Sequence, residues 1–580
     1  MEDQNKNLLL ATVLSFLVIL VWFVLFPPPE APPVDPNAPA AVTQTDAPAA
    51  PAATGGTATA TAEAAEPLPE APRLTVDTPE LVGSISLLGG RIDDLSLKSY
   101  KETLDPASPI VRLLSPVGEA HPYYAVFGWG PGTGLAPEDV PGPRTEWRIV
   151  AGGTLSPGAP VTLQWQNTKG MTFTREIAVD ENFMFTVTDT VQNAGAAAVS
   201  LYPYGIVARH GQPTGLQNFF VLHEGMVSRT DGTLTELGYD DILEFPVVER
   251  EGAQAEVVDA GADGWIGFTD KYWMTTLIPE QGTPFTAVTK YVPGADIYQT
   301  ETRKPVQELA AGGTVTSSTR LFAGAKEWAT IRAYEREQGI PGFIDSIDWG
   351  WFFFLKFLVL PLAYKSYVSM AKMKELQPEL EALKERAGED KQKLQKEMMQ
   401  LYKDKKVNPA AGCLPILIQI PIFFALYKVI FVTIELRHAP FFGWLKDLSA
   451  PDPSSIFNLF GLLPWAAPAQ GSLMALIFIG ILPILLGITM WLQQKLNPQP
   501  TDPVQQQVFA WMPWIFMFML GGFASGLVVY WITNNIITFA QQYLIMRSHG
   551  HKPDIFGNIK AGMKKKEPVP VADKSKKAKK

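Results

Sequence analysis

Apolar runs long enough to enter a bilayer recur along this chain of 580 residues, and they limit its fold more than any other feature. The run at 349–370, WGWFFFLKFLVLPLAYKSYVSM, places roughly sixteen apolar residues around one cation, Lys356. At about 1.5 Å per residue, Lys356 lies roughly 10 Å along a helix from Trp349. A charge at that depth costs about 3 kcal/mol or more, so the ammonium faces water, protein or a substrate, or its stem carries it back to the headgroups. On this stretch alone both readings stay open. Residues 8–26 form an uncharged run followed by PPPEAPP, with no small-residue cleavage site, which predicts an uncleaved anchor over 1–26. Further runs occupy 411–434, 472–493 and 508–546. The last is too long for one helix, and Gly521, Gly522 and Gly526 divide it into 508–523 and 526–546. With 349–368, the expectation is six spans: an N-terminal anchor and a core of five.

An even span count puts both termini on one side of the membrane. The stretch 369–406 is rich in Lys, Glu, Gln, Leu and Met, is broken at Pro378 and Gly388, and predicts a hairpin of two helices outside the membrane. Its Lys and Arg excess, and that of the tail 547–580, assign both to the cytoplasm. The net charge of −10 therefore hides an asymmetry between an acidic N-terminal half and a basic end.

Residues 27–72 are Ala, Pro and Thr with few large apolar groups, a composition that predicts a disordered tether. From 73 to 330 the pattern becomes short alternating runs such as TFTREIAV and FMFTVTDTV between turn signals, which predicts an all-β domain of two packed sheets. Residues 331–348 read as a charged connector. His121, His210 and His223 are scattered without metal spacing, and lone Cys413 excludes an internal disulfide framework. Asp270, in FTDKYW, suits a turn or strand end as well as a catalytic acid, and no carboxylate pair or nucleophile–base set accompanies it. No cofactor is expected.

Several uncharged polar residues lie in the apolar runs. Gln419 stands between Pro415 and Pro421, while Tyr530, Thr533 and Asn534 share one helix face by their i, i+3, i+4 spacing, with Asn535 beside them. Amides in this position either join helices, at about 1 kcal/mol each, or line a wet cavity together with Lys356.

The segments NPAAGCLPILIQIPIFFALY (408–427), YKSYVSMAKMKELQPEL (364–380), TDPVQQQVFAWMPWIF (501–516), SGLVVYWITNNIITFAQQY (525–543) and WIGFTDKYW (265–273) resemble the YidC-type membrane protein insertases of Gram-negative bacteria. The resemblance implies a polytopic α-helical protein of the inner membrane, with a large periplasmic β-sandwich inserted between spans 1 and 2 and both termini cytoplasmic. It implies a hydrophilic groove open to the cytoplasm and to lipid, with Lys356, five residues before Pro361, as its cation. Client contact falls to Lys356, Gln419, Pro421, Tyr530, Trp531, Thr533, Asn534 and Asn535. Implied partners are nascent membrane proteins, the Sec translocon, the ribosome through the basic tail and the cytoplasmic hairpin, and the phospholipid membrane, with the signal recognition particle pathway as an open route.

Three departures from the family pattern stand out. Lys replaces the more usual Arg at 356, Ala524 replaces Pro in FASGL, and about thirty residues expected between DWGW (348–351) and the Lys356 helix are missing. Two other function classes compete: a small-anion transporter using Lys356, and a membrane-anchored carbohydrate-active enzyme built on the β domain.

Overall fold

The computed structural model describes residues 71–216, 222–347, 391–404, 414–468, 472–496 and 503–548, together with a few positions from 379 to 386. The expected anchor 1–26, most of the tether 27–72, the Lys356 run at 349–368, the first half of the 369–406 hairpin and nearly all of the 547–580 tail lie outside the described residues.

Alternating side chains build two antiparallel sheets between Arg73 and Ala325. In Met171–Val179 every second residue, from Met171 and Phe173 to Ile177 and Val179, turns into the space between the sheets. The neighbouring strand Met184–Asn193 does the same with Phe185, Val187 and Val191. The nine-stranded sheet carries Gly264–Thr269 and Trp273–Pro279 near one end, with Thr314–Ala325 and Met184–Asn193 at its middle. The eleven-stranded sheet is centred on Tyr123–Pro131, Val199–His210 and Ile297–Arg303. Fully buried Trp129, Trp265, Phe173, Phe183, Phe185, Phe268 and Phe322 fill the interior, each large side chain contributing about 1.5–3 kcal/mol. This is a two-sheet sandwich.

One inward position breaks the apolar pattern. Arg175 is 1% exposed and stands directly across from Asp189 in the strand register. Its Nε and Nη2 donate to the two Asp189 carboxylate oxygens at 2.7 and 2.9 Å. Nη2 also donates to the Phe127 carbonyl of the opposite sheet at 2.7 Å, and the guanidinium lies 4.7 Å over the Trp147 ring. A buried ion pair thus ties the two sheets together.

The connector does not begin where composition suggests. Helix α1 (Trp328–Glu337) and the short turn Phe343–Ser346 place Ile331, Tyr334, Ile340, Phe343 and Ile347 in the sandwich core itself. Tyr334 donates to Asp180 at 2.8 Å and accepts from the Phe183 amide at 3.1 Å. Gly342 has φ +59°, and a β-carbon there would meet Arg229 at 2.3 Å, so only glycine fits this turn.

Among the described residues five longer helices follow: α2 (Lys391–Asp404), α3 (Leu414–Val432), α4 (Ile481–Leu496), α5 (Pro503–Met519) and α6 (Ser525–Ser548). Among the described residues no helix is long and apolar enough to cross a membrane. The run expected as one helix at 472–493 is broken. A single turn, Leu473–Ile477, precedes α4, and the chain between them passes Gly480, where a β-carbon would sit 2.5 Å from the Asp452 carboxylate. Asp452 and Ser454 take over the start of α4, accepting from the amides of Leu482 and Ile481 at 2.8 Å each. The expected division of 508–546 takes the form of a turn between α5 and α6, over 520–524.

Candidate functional site

The residues expected to line a groove fall on α3 and α6, apart from Lys356, which lies outside the described residues. Gln419 and Pro421 belong to α3, within one turn of Phe423. Phe423 meets Trp531 of α6 with ring centroids 4.4 Å apart, and Tyr427 meets Phe523 at 4.8 Å. An aromatic seam therefore joins the two helices, and it places Trp531 partly inside the helical core rather than free on its surface.

The face expected on α6 is divided. Tyr530 (37% exposed) and Thr533 are open, and the Thr533 hydroxyl donates to its own helix at Val529. Asn534 is half-buried. Asn535 is 3% exposed and turns to α4, where its amide nitrogen donates to Thr489 Oγ1 at 3.3 Å. Neighbours on a helix point about 100° apart, so Asn535 cannot share the Tyr530–Thr533–Asn534 face. It acts as an interhelical hydrogen bond. Sequence reasoning also passed over Lys428, a buried cation in otherwise uncharged α3, although a lysine in such a run was a visible signal.

The start of α6 is held by the loop that precedes α4. The Ser525 amide donates to Ala450 O at 2.7 Å, Gly526 N to Leu448 O at 2.9 Å, and Ser525 Oγ to Asp447 O at 2.8 Å. These bonds satisfy amides that a helix start leaves without partners.

The same loop is the seat of the β domain. Ile434, just past α3, enters the sandwich core. Arg437 Nη2 donates to the carbonyls of Lys101 and Glu102 at 2.7 and 3.1 Å, the Trp328 amide donates to Glu435 at 2.9 Å, and Tyr272 donates to Ser449 Oγ at 3.1 Å. Lys271 lies 3.5 Å from the centre of the Phe431 ring. The segment WIGFTDKYW is therefore a joint. Trp265 holds the connector through Pro341 O and Phe343, Asp270 pairs with Arg209 at 2.7 and 2.8 Å, and Lys271 and Tyr272 reach the helical core. Asp270 is thus occupied in a structural ion pair. Glu251 and Glu301 are likewise tied to Lys290 and Arg303. Among the described residues no group of His, Cys, Asp and Glu is arranged to hold a metal.

Burial pulls the Lys271 ammonium down to about 8, against the attraction of Asp447 and Glu224. Free lysine titrates near 10.4, so between about pH 8 and 10.4 the undocked form binds more protons and the joint strengthens as pH rises. Comparing thermal unfolding of wild type and Lys271→Met from pH 7 to 10 tests this. The stability difference between the two proteins shifts in favour of wild type as pH rises, whereas parallel curves would remove Lys271 from the balance.

The described geometry has relatives. Residues 73–362 match the family described as the YidC periplasmic domain, and residues 350–552 match the family described as 60Kd inner membrane protein. A membrane protein insertase YidC from Cereibacter sphaeroides is 66% identical over 613 aligned positions, covering 99% of this chain and 98% of that protein. One from Dinoroseobacter shibae is 63% identical, covering 98% and 99%. A crystal structure of an active YidC insertase with its first transmembrane domain resolved is 16% identical, covers 81% of this chain and 92% of its own, and has a TM-score of 0.31.

Proposed function

The chain belongs to the YidC family of membrane protein insertases, inner membrane proteins with a periplasmic β-sandwich domain, and on that premise we propose how its residues insert a client. The observation that carries the insertase function is identity to named insertases along essentially the whole chain. That full-length likeness gives no support to a small-anion transporter or an anchored carbohydrate-active enzyme.

In our reading the core spans are 349–368, 411–434, 472–493, 508–523 and 526–546, with the anchor 1–26 before them. Both termini, the 369–406 hairpin and the 547–580 tail face the cytoplasm. The nascent hydrophobic segment slides along the α3–α6 seam, with Gln419, Pro421, Tyr530 and Thr533 as the residues we assign to client contact. Its polar flank enters a wet groove holding Lys356. A charged residue at the bilayer centre costs about 3 kcal/mol on insertion scales. Attraction between an acidic flank and Lys356 at 4 Å, in the intermediate dielectric of a groove wall, contributes about 4 kcal/mol and offsets that cost. Release follows because the apolar segment is more stable in lipid.

A thin core assists. In our reading a locally thinned bilayer around the core shortens the crossing. The shortened stretch before Lys356 fits this picture. The 613 aligned positions exceed the 580 residues here, so the Cereibacter relative has at least 33 residues with no counterpart, and the two family matches overlap at 350–362. In our reading the protein acts alone or beside the Sec translocon. The basic tail and hairpin recruit ribosomes through phosphate neutralisation, with delivery by the signal recognition particle pathway.

The test is insertion of a single-span client with an acidic translocated tail into proteoliposomes. Lys356→Ala loses most insertion and Lys356→Arg retains it. Equal insertion by all three proteins would reduce Lys356 to a snorkelling residue.

A further inference from the structure

The stretch 453–480 contains no Asp, Glu, Lys, Arg or His. Many of its described apolar side chains are nonetheless displayed rather than buried. Leu462 is 80% exposed, and Ile456, Leu459, Phe460, Trp465, Met474 and Ile477 are also open. Such an apolar surface does not persist in water without a covering.

Its backbone is prepared for a dry setting. The amides of Phe460, Leu462 and Leu463 donate to the carbonyls of Ser455, Leu459 and Asn458, and Ile456 N donates to Ile479 O at 3.1 Å. The Trp465 indole N–H closes on the Phe457 carbonyl at 2.9 Å. Leu459 (φ 50°) and Phe460 (φ 58°) are consecutive left-handed residues with large side chains, a conformation that costs on the order of 1–3 kcal/mol each. The chain accepts this strain while presenting both side chains outward. The nearest carboxylate, Asp452, is turned away, accepting from Leu482 N, Ser454 N and Trp444 Nε1.

We propose that the described parts of this stretch, 453–468 and 472–480, form a membrane-interface wedge that seats in the outer leaflet between headgroups and acyl chains. The proposal rests on the insertase topology above, which places this loop on the periplasmic side. Three features select lipid over a protein partner. The segment lacks any ionisable group that would form the polar rim of a protein interface. It carries exposed Trp465, the kind of side chain that favours the membrane–water boundary. Exposed apolar side chains also continue along the chain, Met474 and Ile477 in the single turn before α4 and Leu485 and Ile488 on α4. The wedge would hold α4 at its depth in the membrane beside the client path.

The test uses the full-length protein with Cys413→Ser and Leu462→Cys, labelled with an environment-sensitive fluorophore, in vesicles of phosphatidylethanolamine and phosphatidylglycerol. Lipids carrying a spin label at carbon 5 or carbon 12 serve as quenchers. A second protein labelled at Val306→Cys, exposed on the β domain, reports the aqueous background. The expected result is several-fold stronger quenching at 462 than at 306, greater from carbon 5 than from carbon 12. Quenching at 462 no greater than at 306 overturns the wedge. So does shielding of 462 that appears only when a client or translocon is added, which would assign the surface to a protein. Insertion by the same labelled protein is measured in parallel. Intact insertion without lipid quenching defeats the wedge alone, and lipid quenching without insertion defeats the insertase mechanism alone.

Discussion

Arg175→Met lowers the unfolding temperature of the β domain by about 10 °C. The estimate follows from the site. Removing the guanidinium leaves Asp189 in the core without a counter-charge and Phe127 O without its donor. Breaking one side of a buried ion pair costs about 3–5 kcal/mol, and in a domain of this size each kcal/mol lowers the midpoint by about 2–4 °C. The paired variant Arg175→Met/Asp189→Leu recovers most of the loss, because replacing both partners by apolar groups removes the stranded charge. Calorimetry of the purified protein checks both. A single variant melting within about 2 °C of wild type would show that the pair contributes little to holding the sheets together.

Trp265→Ala combines a large loss of stability with a local release. Trp265 is fully buried, its indole donates to Pro341 O at 3.3 Å, and it meets Phe343 edge-on at 5.7 Å. Truncating a buried tryptophan costs about 3–5 kcal/mol. Here the cavity opens beneath the connector at 341–343, which leads into the Lys356 run. Hydrogen exchange at 328–347 therefore accelerates more than exchange in the central strands, by at least about a hundredfold, and client insertion falls with it. Uniform acceleration across the sandwich would mean that Trp265 supports the core without specially fixing the connector.

The β domain and the family were legible in the sequence, because each rests on local patterns. An alternating run such as 171–179 declares a half-buried strand, whatever lies next to it. The aromatic and amide residues of 525–543 could likewise be placed on one helix. Which way each of them points could not. Asn535 adjoins Thr533 and Asn534 in sequence, yet it bonds to Thr489 of α4, because the packing of neighbouring helices decides which sector of α6 is buried.

Tertiary structure alone decided the rest. Arg175 reads as an ordinary polar residue on a strand until the register sets it opposite Asp189, and the second sheet supplies a carbonyl. WIGFTDKYW could be matched as a family signature, but its work as a joint depends on Arg209, Phe343, Phe431 and Ser449, which are far away in the chain. The break before α4 is another case: 472–493 is uncharged throughout, and the second helix starts where Asp452 and Ser454 accept from the amides of Leu482 and Ile481. Periodicity is a property of consecutive residues and survives in the sequence. Pairing between distant residues is fixed by the register of sheets and the packing of helices, so it emerges only when the chain is folded.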